Sequence, residues 1–231
     1  MTPVASAPAG TANVVPERAA RDRVDVWRAE LDLPEGAAES ALRTLSEPER
    51  AHAARQRAGA SRWVAARAAL RGVLARYLGV PPVRVEFVTG ADGKPRLAPG
   101  PGADLRFNLS HSGGLALIAV RLGREVGVDL EELRDGVDGD AVAREFLDEP
   151  ERARLEALSA AGRPHAFFSA WVRREAMAKA SGRGIASPAD RREAARFGVR
   201  ELGGFPGFAA AVASEGHGWS LRRRDVADPS R

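Results

Sequence analysis

The chain has 231 residues, of which 44% are hydrophobic and 29% charged, so it can bury a globular core and is not a disordered chain. It has no cysteine, which excludes disulfides and thiolate metal sites, and no apolar run approaches the ~20 residues of a membrane helix. The net charge of +4 favours an acidic partner, but acids and arginines are interleaved, unlike the one-signed tracts of nucleic-acid-binding proteins. We expect a cytoplasmic protein with neither a membrane nor a nucleic-acid partner.

A near-repeat organises the chain. Residues 1–22 lack the basic start and apolar centre of a signal peptide, and we predict a flexible leader there. The sequence LSEPER at 45–50 then recurs as LDEPER at 147–152. In each copy Ser46 or Asp148 can cap a helix, and the glutamate three residues later completes a capping box. The repeat therefore predicts a helix start at both places.

Each copy is followed by a helical block that contains a Trp-Val pair, at Trp63 and at Trp171, and then by short β-rich runs. This order predicts an α+β fold of two similar halves, each an antiparallel sheet with helices. The expected boundaries are 23–113 and 114–221, with a frayed tail over 222–231. Chance recurrence of a common helix opening is the alternative to duplication. A seam between two halves is a favoured place for a ligand site.

A turn at Asp92-Gly93 presents Lys94, one of only two lysines in a chain with 35 Lys plus Arg. Pro95 stiffens the residue after this lysine, and such a loop suits a single cation that meets a phosphate. An ordinary hairpin tip is the alternative. Two arginines of the first helical block are further candidates for phosphate binding: Arg50 and Arg62.

The run FNLSHSGG at 107–114 carries the hydrogen-bonding side chains Asn108, Ser110 and His111, and its two glycines allow a ligand to approach the backbone. A Ser-His-Asp hydrolase does not fit. Adjacent residues on a strand point to opposite faces, and the chain has no Gly-x-Ser-x-Gly turn. A histidine that contacts a phosphate is the better chemical role for His111.

The run VGVDLE at 126–131 predicts a buried strand that ends where Asp129 and Glu131 begin. Residues two apart on a strand share a side, so both carboxylates face one direction, about 6–7 Å apart. Two adjacent carboxylates repel unless a cation lies between them, and their oxygens are ligands that Mg²⁺ prefers. A solvated acidic turn is the alternative interpretation.

The second lysine, Lys179, lies in the helical run WVRREAMAKASG at 171–182, one turn after Glu175 and on the same face. An exposed ion pair would be ordinary, but the aromatic and apolar neighbours predict a substantially buried helix. A flexible point charge such as lysine can follow a phosphate through a reaction. Glu175 then becomes a third carboxylate beside Asp129 and Glu131.

Four of these blocks, in this order, resemble the 4′-phosphopantetheinyl transferases, specifically the large type that activates surfactin synthetase: GKP at 93–95, FNLSHSG at 107–113, VGVDLE at 126–131 and WVRREAMAKASG at 171–182. The resemblance runs from about residue 45 to 185 and implies a pseudo-twofold monomer with its ligand site at the seam. It also implies the reaction: the 4′-phosphopantetheine arm of coenzyme A moves to a carrier-protein serine, and adenosine 3′,5′-bisphosphate is released.

The resemblance and the chemistry of the residues together give a predicted site. The predicted Mg²⁺ ligands are Asp129, Glu131 and Glu175. The predicted catalytic residues are Asp129, Glu175 and Lys179. The residues predicted to contact coenzyme A are Arg50, Arg62, Lys94, Pro95, Asn108, Ser110, His111 and Lys179. The general base is either Glu175 or a metal-bound water. The family's helix block usually reads Trp-x-x-Lys-Glu-Ala, and Arg174 replaces its lysine here.

The expected partners are coenzyme A and apo acyl or peptidyl carrier proteins of fatty-acid, polyketide or peptide synthases. Carriers of this class are acidic helical bundles, which a basic surface would attract. A non-catalytic basic module that binds nucleotides or nucleic acid on a duplicated fold is the alternative. It would need aromatic residues free for stacking, whereas the tryptophans fall in predicted cores.

Overall fold

The computed structural model describes residues 17–56, 59–90, 93–134, 147, 149–159, 162–182 and 195–226. These residues form a mixed α+β fold built on two main sheets and one small hairpin. The elements before the middle of the chain are β1 (Arg23–Glu30), α1 (Ala37–Thr44), α2 (Glu47–Arg55), α3 (Ala60–Leu78), a 3₁₀ turn (Pro82–Arg84), β2 (Phe87–Thr89), β3 (Pro95–Leu97), β4 (Leu105–Ser112) and β5 (Leu115–Leu122). The later elements are β6 (Val126–Glu132), α4 (Glu149–Glu156), α5 (Arg163–Ser181), β7 (Phe197–Glu201), β8 (Phe208–Glu215) and β9 (Ser220–Asp225).

The first copy of the repeat starts a helix as its sequence predicts. Ser46 is the N-cap of α2, and Glu49 completes the capping box by accepting from the backbone N–H of Ser46 at 2.9 Å. The second copy contains the start of α4 at Glu149, as predicted, but its capping residue, Asp148, lies outside the described residues.

The strands divide differently from the predicted halves. The first sheet has the order β4-β5-β1-β9, and the second has the order β6-β8-β7. The predicted boundary at 113/114 therefore falls in the turn between β4 and β5, two neighbours of one sheet. The expectation of antiparallel pairing is wrong for β1 and β9, which are parallel. The cause is that the last described strand returns to the first sheet and runs beside the first strand.

Both predicted ends are partly incorporated into the fold. Arg222, where a frayed tail was predicted to begin, lies inside β9 and pairs with Asp25 at 2.7 Å. The expectation of fraying is therefore wrong as far as Asp225. At the other end, Glu17 of the predicted leader accepts from Arg222 at 3.1 Å and also pairs with Arg224.

The two sheets face each other across a common apolar core. Val24 and Leu117 of the first sheet pack in one cluster with Val128, Leu130 and Val212 of the second. Helix α3 covers the other face of the first sheet, and α5 covers the other face of the second. The result is a helix–sheet–sheet–helix arrangement in which β4 and β6 lie side by side. No helix in the described part of the chain has the length and apolar character needed to span a membrane.

Candidate active site

A glycine determines how closely α5 approaches β6. A Cβ atom at Gly127 would collide with backbone atoms of Ala176 and Ala180 on α5. Only glycine permits this contact, which brings Glu175 and Lys179 alongside β6. Gly127 had no predicted role, although a glycine inside an apolar strand is a recognised sign of close backbone approach.

Asp129 is the centre of the site. It lies within β6, not at the predicted strand end, and only 2% of the residue is exposed. Its Oδ1 accepts from Lys179 Nζ at 2.6 Å and from Ser110 Oγ at 2.9 Å. Its Oδ2 is buried and has no hydrogen-bond partner among the described residues. A buried carboxylate oxygen in this condition has the capacity to bind one more donor or cation.

Two more carboxylates surround Asp129. Burial raises the pKa of Glu131, and the charge of Asp129 raises it further. The pKa of Glu175 is raised by the same two causes in the same order, with a smaller contribution from Glu131. Lys179 lowers both pKa values but does not offset the other contributions. The predicted acids therefore lie near one another, and Lys179 is their shared cation.

The arrangement is not a ready-formed metal site. Among the residues that the structure describes, no three His, Cys, Asp or Glu side chains are arranged to hold a metal ion. The ammonium of Lys179, which pairs with Asp129, supplies the positive charge next to these carboxylates.

Strand β4 contributes polar side chains to the same place. Asn108 Oδ1 accepts from the backbone N–H of Val128 at 2.9 Å. Ser110 Oγ donates to Asp129 and lies 3.1 Å from Lys179 Nζ. His111 points to the other side of the strand and is exposed. Loss of part of its solvent shell lowers the pKa of His111, and the charge of Lys179 lowers it further.

The remaining predicted residues make other contacts. Lys94 Nζ donates to Glu125 Oε2 at 3.0 Å and to the carbonyl of Val126 at 2.9 Å, with only 8% of its side chain exposed. Arg62 pairs with Asp32 at 2.7 Å. Arg50 donates to the carbonyl of Leu45, and Pro95 begins β3. The described hydrogen bonds and ion pairs of these residues lie outside the carboxylate cluster.

A crevice of about 500 Å³ lies beside the cluster without containing it. Its wall includes Gly114 and Leu115 from the β4–β5 hairpin and Phe205 and Phe208 around the start of β8. Leu115 pairs with Ser112 in the first sheet, and Phe208 pairs with Glu132 in the second. The crevice therefore lies near the ends of β4 and β6, and none of the three carboxylates is part of its wall.

Comparisons with known proteins indicate one family. A family model described as the 4′-phosphopantetheinyl transferase superfamily matches residues 125–207, which include β6 and α5. The 4′-phosphopantetheinyl transferase HetI of Nostoc sp. is 38% identical over an alignment of 213 residues that covers 86% of this chain and 90% of the relative. AcpT of Salmonella typhimurium is 35% identical over 52% of this chain and 58% of its own length. The transferase psf-1 of Bacillus pumilus is 33% identical over 50% of this chain and 48% of its own length.

The chain belongs to the 4′-phosphopantetheinyl transferase superfamily and is a transferase. The resemblance of its four sequence blocks to that family is thereby confirmed. The block of β6 and the helical block of α5 both lie within the matched segment.

Proposed function

We propose that this protein transfers the 4′-phosphopantetheine arm of coenzyme A to a serine of an apo carrier protein in a Mg²⁺-dependent reaction. The serine oxygen forms a new bond to the phosphorus that bears the pantetheine arm. The bond from that phosphorus to the bridging oxygen breaks, and adenosine 3′,5′-bisphosphate leaves with the bond electrons. The observation that carries the proposal is the convergence of three carboxylates on a single lysine around the buried Asp129.

The chemistry of the residues present fits a divalent cation, although their side chains are not already gathered around one point. Asp129 Oδ2 is buried without a partner among the described residues, and the pKa values of Glu131 and Glu175 are raised by burial and then by the nearby charge of Asp129. A hard cation with oxygen ligands relieves both conditions. We therefore assign Asp129, Glu131 and Glu175 as its ligands. When bound, Mg²⁺ offsets the negative charge that grows on the leaving phosphate oxygen.

The chain's own residues supply the other parts of the reaction. Lys179 is 31% exposed in its side chain, so its ammonium can reach a diphosphate while it remains near Asp129. Phosphoryl-type transfer depends mainly on such positioning and charge neutralisation. Glu175 or a water beside it is our proposed acceptor for the serine proton, because this carboxylate lies among the charged groups around Asp129 and Lys179.

The coenzyme contacts differ in how directly the geometry supports them. His111, Arg50 and Arg62 are exposed, so each is available to a phosphate. Asn108 and Ser110 already hold β6, so we propose that they support the site as well as contact the ligand. The buried pairing of Lys94 with Glu125 favours a supporting role for this lysine and for the Pro95 that follows it.

Several finer features of the proposal concern architecture and partners. We propose a pseudo-twofold monomer of the large, surfactin-synthetase-activating type, with coenzyme A at the seam between the halves. Helices α3 and α5 each have 19 residues, and each follows a shorter helix that begins at a Glu-Pro-Glu sequence. The coverage of 90% of HetI extends the likeness over both halves. The positive net charge suits acidic acyl or peptidyl carriers.

The test is a transfer assay with a matched pair of variants. The protein is incubated with coenzyme A, Mg²⁺ and an apo carrier, and the intact mass of the carrier is measured. We expect the mass gain of the phosphopantetheine arm with wild type. Asp129→Asn should reduce the rate by about 10²–10³-fold, since it removes a charge placed at the reacting groups. Asp225→Asn, a change at an exposed ion pair on β9, should leave the rate unchanged.

Two results would count against the proposal. If Asp129→Asn labels the carrier at the wild-type rate, the proposed metal site at Asp129 is wrong. Binding of coenzyme A by wild type without any mass gain in a panel of apo carriers would favour the non-catalytic nucleotide-binding alternative.

A further inference from the structure

Strands β4 and β6 belong to different sheets, yet polar side chains join them. Asn108, Ser110 and Ser112 alternate along β4 and therefore share one face of the strand. Each bonds to β6: Asn108 to the backbone N–H of Val128, Ser110 to Asp129, and Ser112 to Glu131. These three side chains hold β4 against β6, as backbone hydrogen bonds hold neighbouring strands within a sheet. They fix the carboxylates of β6 relative to β4.

Ser112 makes two hydrogen bonds to β6. Its Oγ accepts from the backbone N–H of Glu132 at 3.0 Å and donates to Glu131 Oε2 at 3.0 Å. A hydroxyl has one proton, so acceptance from a backbone donor on one side directs that proton to the carboxylate on the other. The backbone of Glu132 is held in its strand by pairing with Phe208 of β8. The direction of the hydroxyl is therefore set by the fold.

The glycine after Ser112 helps to keep this contact close. Gly113 has φ of 54°, and a Cβ atom there would lie 2.9 Å from the carboxylate carbon of Glu132. The turn that ends β4 thus passes directly over the end of β6. A side chain at this position would displace the carboxylate of Glu132 and would be strained at this positive φ.

We infer that Ser112 is a positioning residue that holds the carboxylate of Glu131 in its metal-binding orientation. The inference rests on the proposed function, since it concerns the same Mg²⁺ site. Ser112 acts through Glu131 and touches neither substrate nor metal. Ser110 does not duplicate this role, because its hydroxyl bonds to Asp129 and lies beside Lys179.

The effect expected is on metal affinity. Removing a group that orients a metal ligand lowers affinity by roughly 10–100-fold in metalloproteins. Ser112→Ala removes the donor and leaves Glu131 free to rotate. We expect the half-saturating Mg²⁺ concentration for transfer to rise by about tenfold, with KM for the apo carrier unchanged. Direct titration of the protein with Mn²⁺, followed by the electron paramagnetic resonance of the free ion, should show the same loss without any turnover.

Three further variants distinguish positioning from general damage. Ser112→Thr keeps the hydroxyl and should restore metal affinity to within about threefold of wild type, since the donor and acceptor are both retained. Ser220 lies on β9, at the opposite edge of the sheet from β4, and its hydroxyl donates to the backbone carbonyl of Asp22, so Ser220→Ala should leave metal affinity unchanged. In a Glu131→Gln background, Ser112→Ala should produce no further loss, because contacts that act as one unit are non-additive.

The possible outcomes separate the inference from the proposed function. Wild-type Mg²⁺ dependence in Ser112→Ala, or failure of Ser112→Thr to restore it, would overturn the role of Ser112 while the transfer reaction stands. Absence of both transfer and Mn²⁺ binding in wild type would instead overturn the proposed function. If Ser112→Ala does not fold, Ser112→Cys serves in its place. Its weaker donor should give an intermediate loss of affinity, and a wild-type affinity would overturn the inference.

Discussion

Two clusters of buried acid and base, one at Glu49 and one at Asp129, differ in how completely their charges are paired. Glu49, with 12% of its side chain exposed, accepts from Arg67 Nε at 2.9 Å and from Arg71 Nε at 2.6 Å. Arg71 also donates to the carbonyls of Pro82 and Val85, both at 2.9 Å. These donors, with the backbone of Ser46, outweigh burial and lower the pKa of Glu49.

The Asp129 cluster has the opposite balance. Three carboxylates share one ammonium, and the pKa values of Glu131 and Glu175 are raised. One oxygen of Asp129 is unpartnered within the described residues. Both clusters are buried and both contain several charged groups, so burial alone does not identify a functional site. An excess of negative charge does identify such a site, because the unpaired carboxylate oxygens can bind an external cation.

The largest expected effect comes from removing the charge of Glu49, which tests whether full pairing in its cluster stabilises the fold. Glu49→Gln should lower the free energy of unfolding by about 3 kcal/mol, because it leaves the buried charge of Arg71 without its carboxylate. Urea unfolding followed by circular dichroism measures the change. The rate of transfer per folded molecule should stay near wild type, since Glu49 is not a proposed ligand of metal or coenzyme.

The control for this variant is Glu39→Gln. Glu39 pairs with Arg43 on α1, with 81% and 63% of the two side chains exposed, so its loss should not measurably change stability. An unfolding free energy for Glu49→Gln equal to that of the control would mean that full pairing contributes little. The contrast between the two clusters would then lose its energetic basis.

The local spacing of the proposed site residues is easier to read from the sequence than the fold that brings them together. The spacing of Glu175 and Lys179 on a helix, and of Asp129 and Glu131 on a strand, is local and follows from periodicity. Their convergence depends on Gly127, and the effect of this residue is visible only when α5 is packed against β6. Periodicity describes one element at a time, whereas packing is a property of two.

Long-range pairing was the part that local patterns did not reveal. The sequence of β9, rich in arginine, reads as a polar tail. It becomes a strand because Arg222 meets the buried Asp25 on β1, almost the whole chain away. Lys94 is a similar case, because its partner Glu125 lies in a distant part of the chain, in the connection between β5 and β6. An isolated lysine on a turn gives no sign that a carboxylate will bury it.

The next effect in size comes from changing the shape of the cation in the Asp129 cluster, Lys179, while its charge is kept. Lys179→Arg keeps the charge but replaces a compact ammonium with a planar fork that cannot follow a phosphate in the same way. We expect transfer to slow by about tenfold or more, with little change in stability. Steady-state kinetics on an apo carrier measures the change. The control is Arg173→Lys, an exposed position on the same helix, which should keep the wild-type rate. Full activity of Lys179→Arg would reduce Lys179 to a simple counter-charge.

The third and smallest effect concerns the stability of the unliganded protein. The raised pKa of Glu175 means that its ionised form is less favourable in the folded chain than in the unfolded chain. Its contribution to stability is therefore fully present below the ordinary glutamate pKa and is lost as the pH rises through the raised value. Glu175→Gln removes this penalty. The variant should gain a few tenths of a kcal/mol at pH 7 in a chelator, because Glu175 is only partly buried, and the gain should disappear near pH 4.

Thermal unfolding of wild type and Glu175→Gln at the two pH values measures this gain. Glu156→Gln, at an exposed position on α4, is the matched control and should show no such pH-dependent difference. The variant at Glu175 should also lose transfer activity, so that one substitution stabilises the fold and removes the function. A lower stability of Glu175→Gln at pH 7 would mean that this carboxylate is fully paired, as Glu49 is. The Asp129 cluster would then lack the excess negative charge from which its capacity for a cation is inferred.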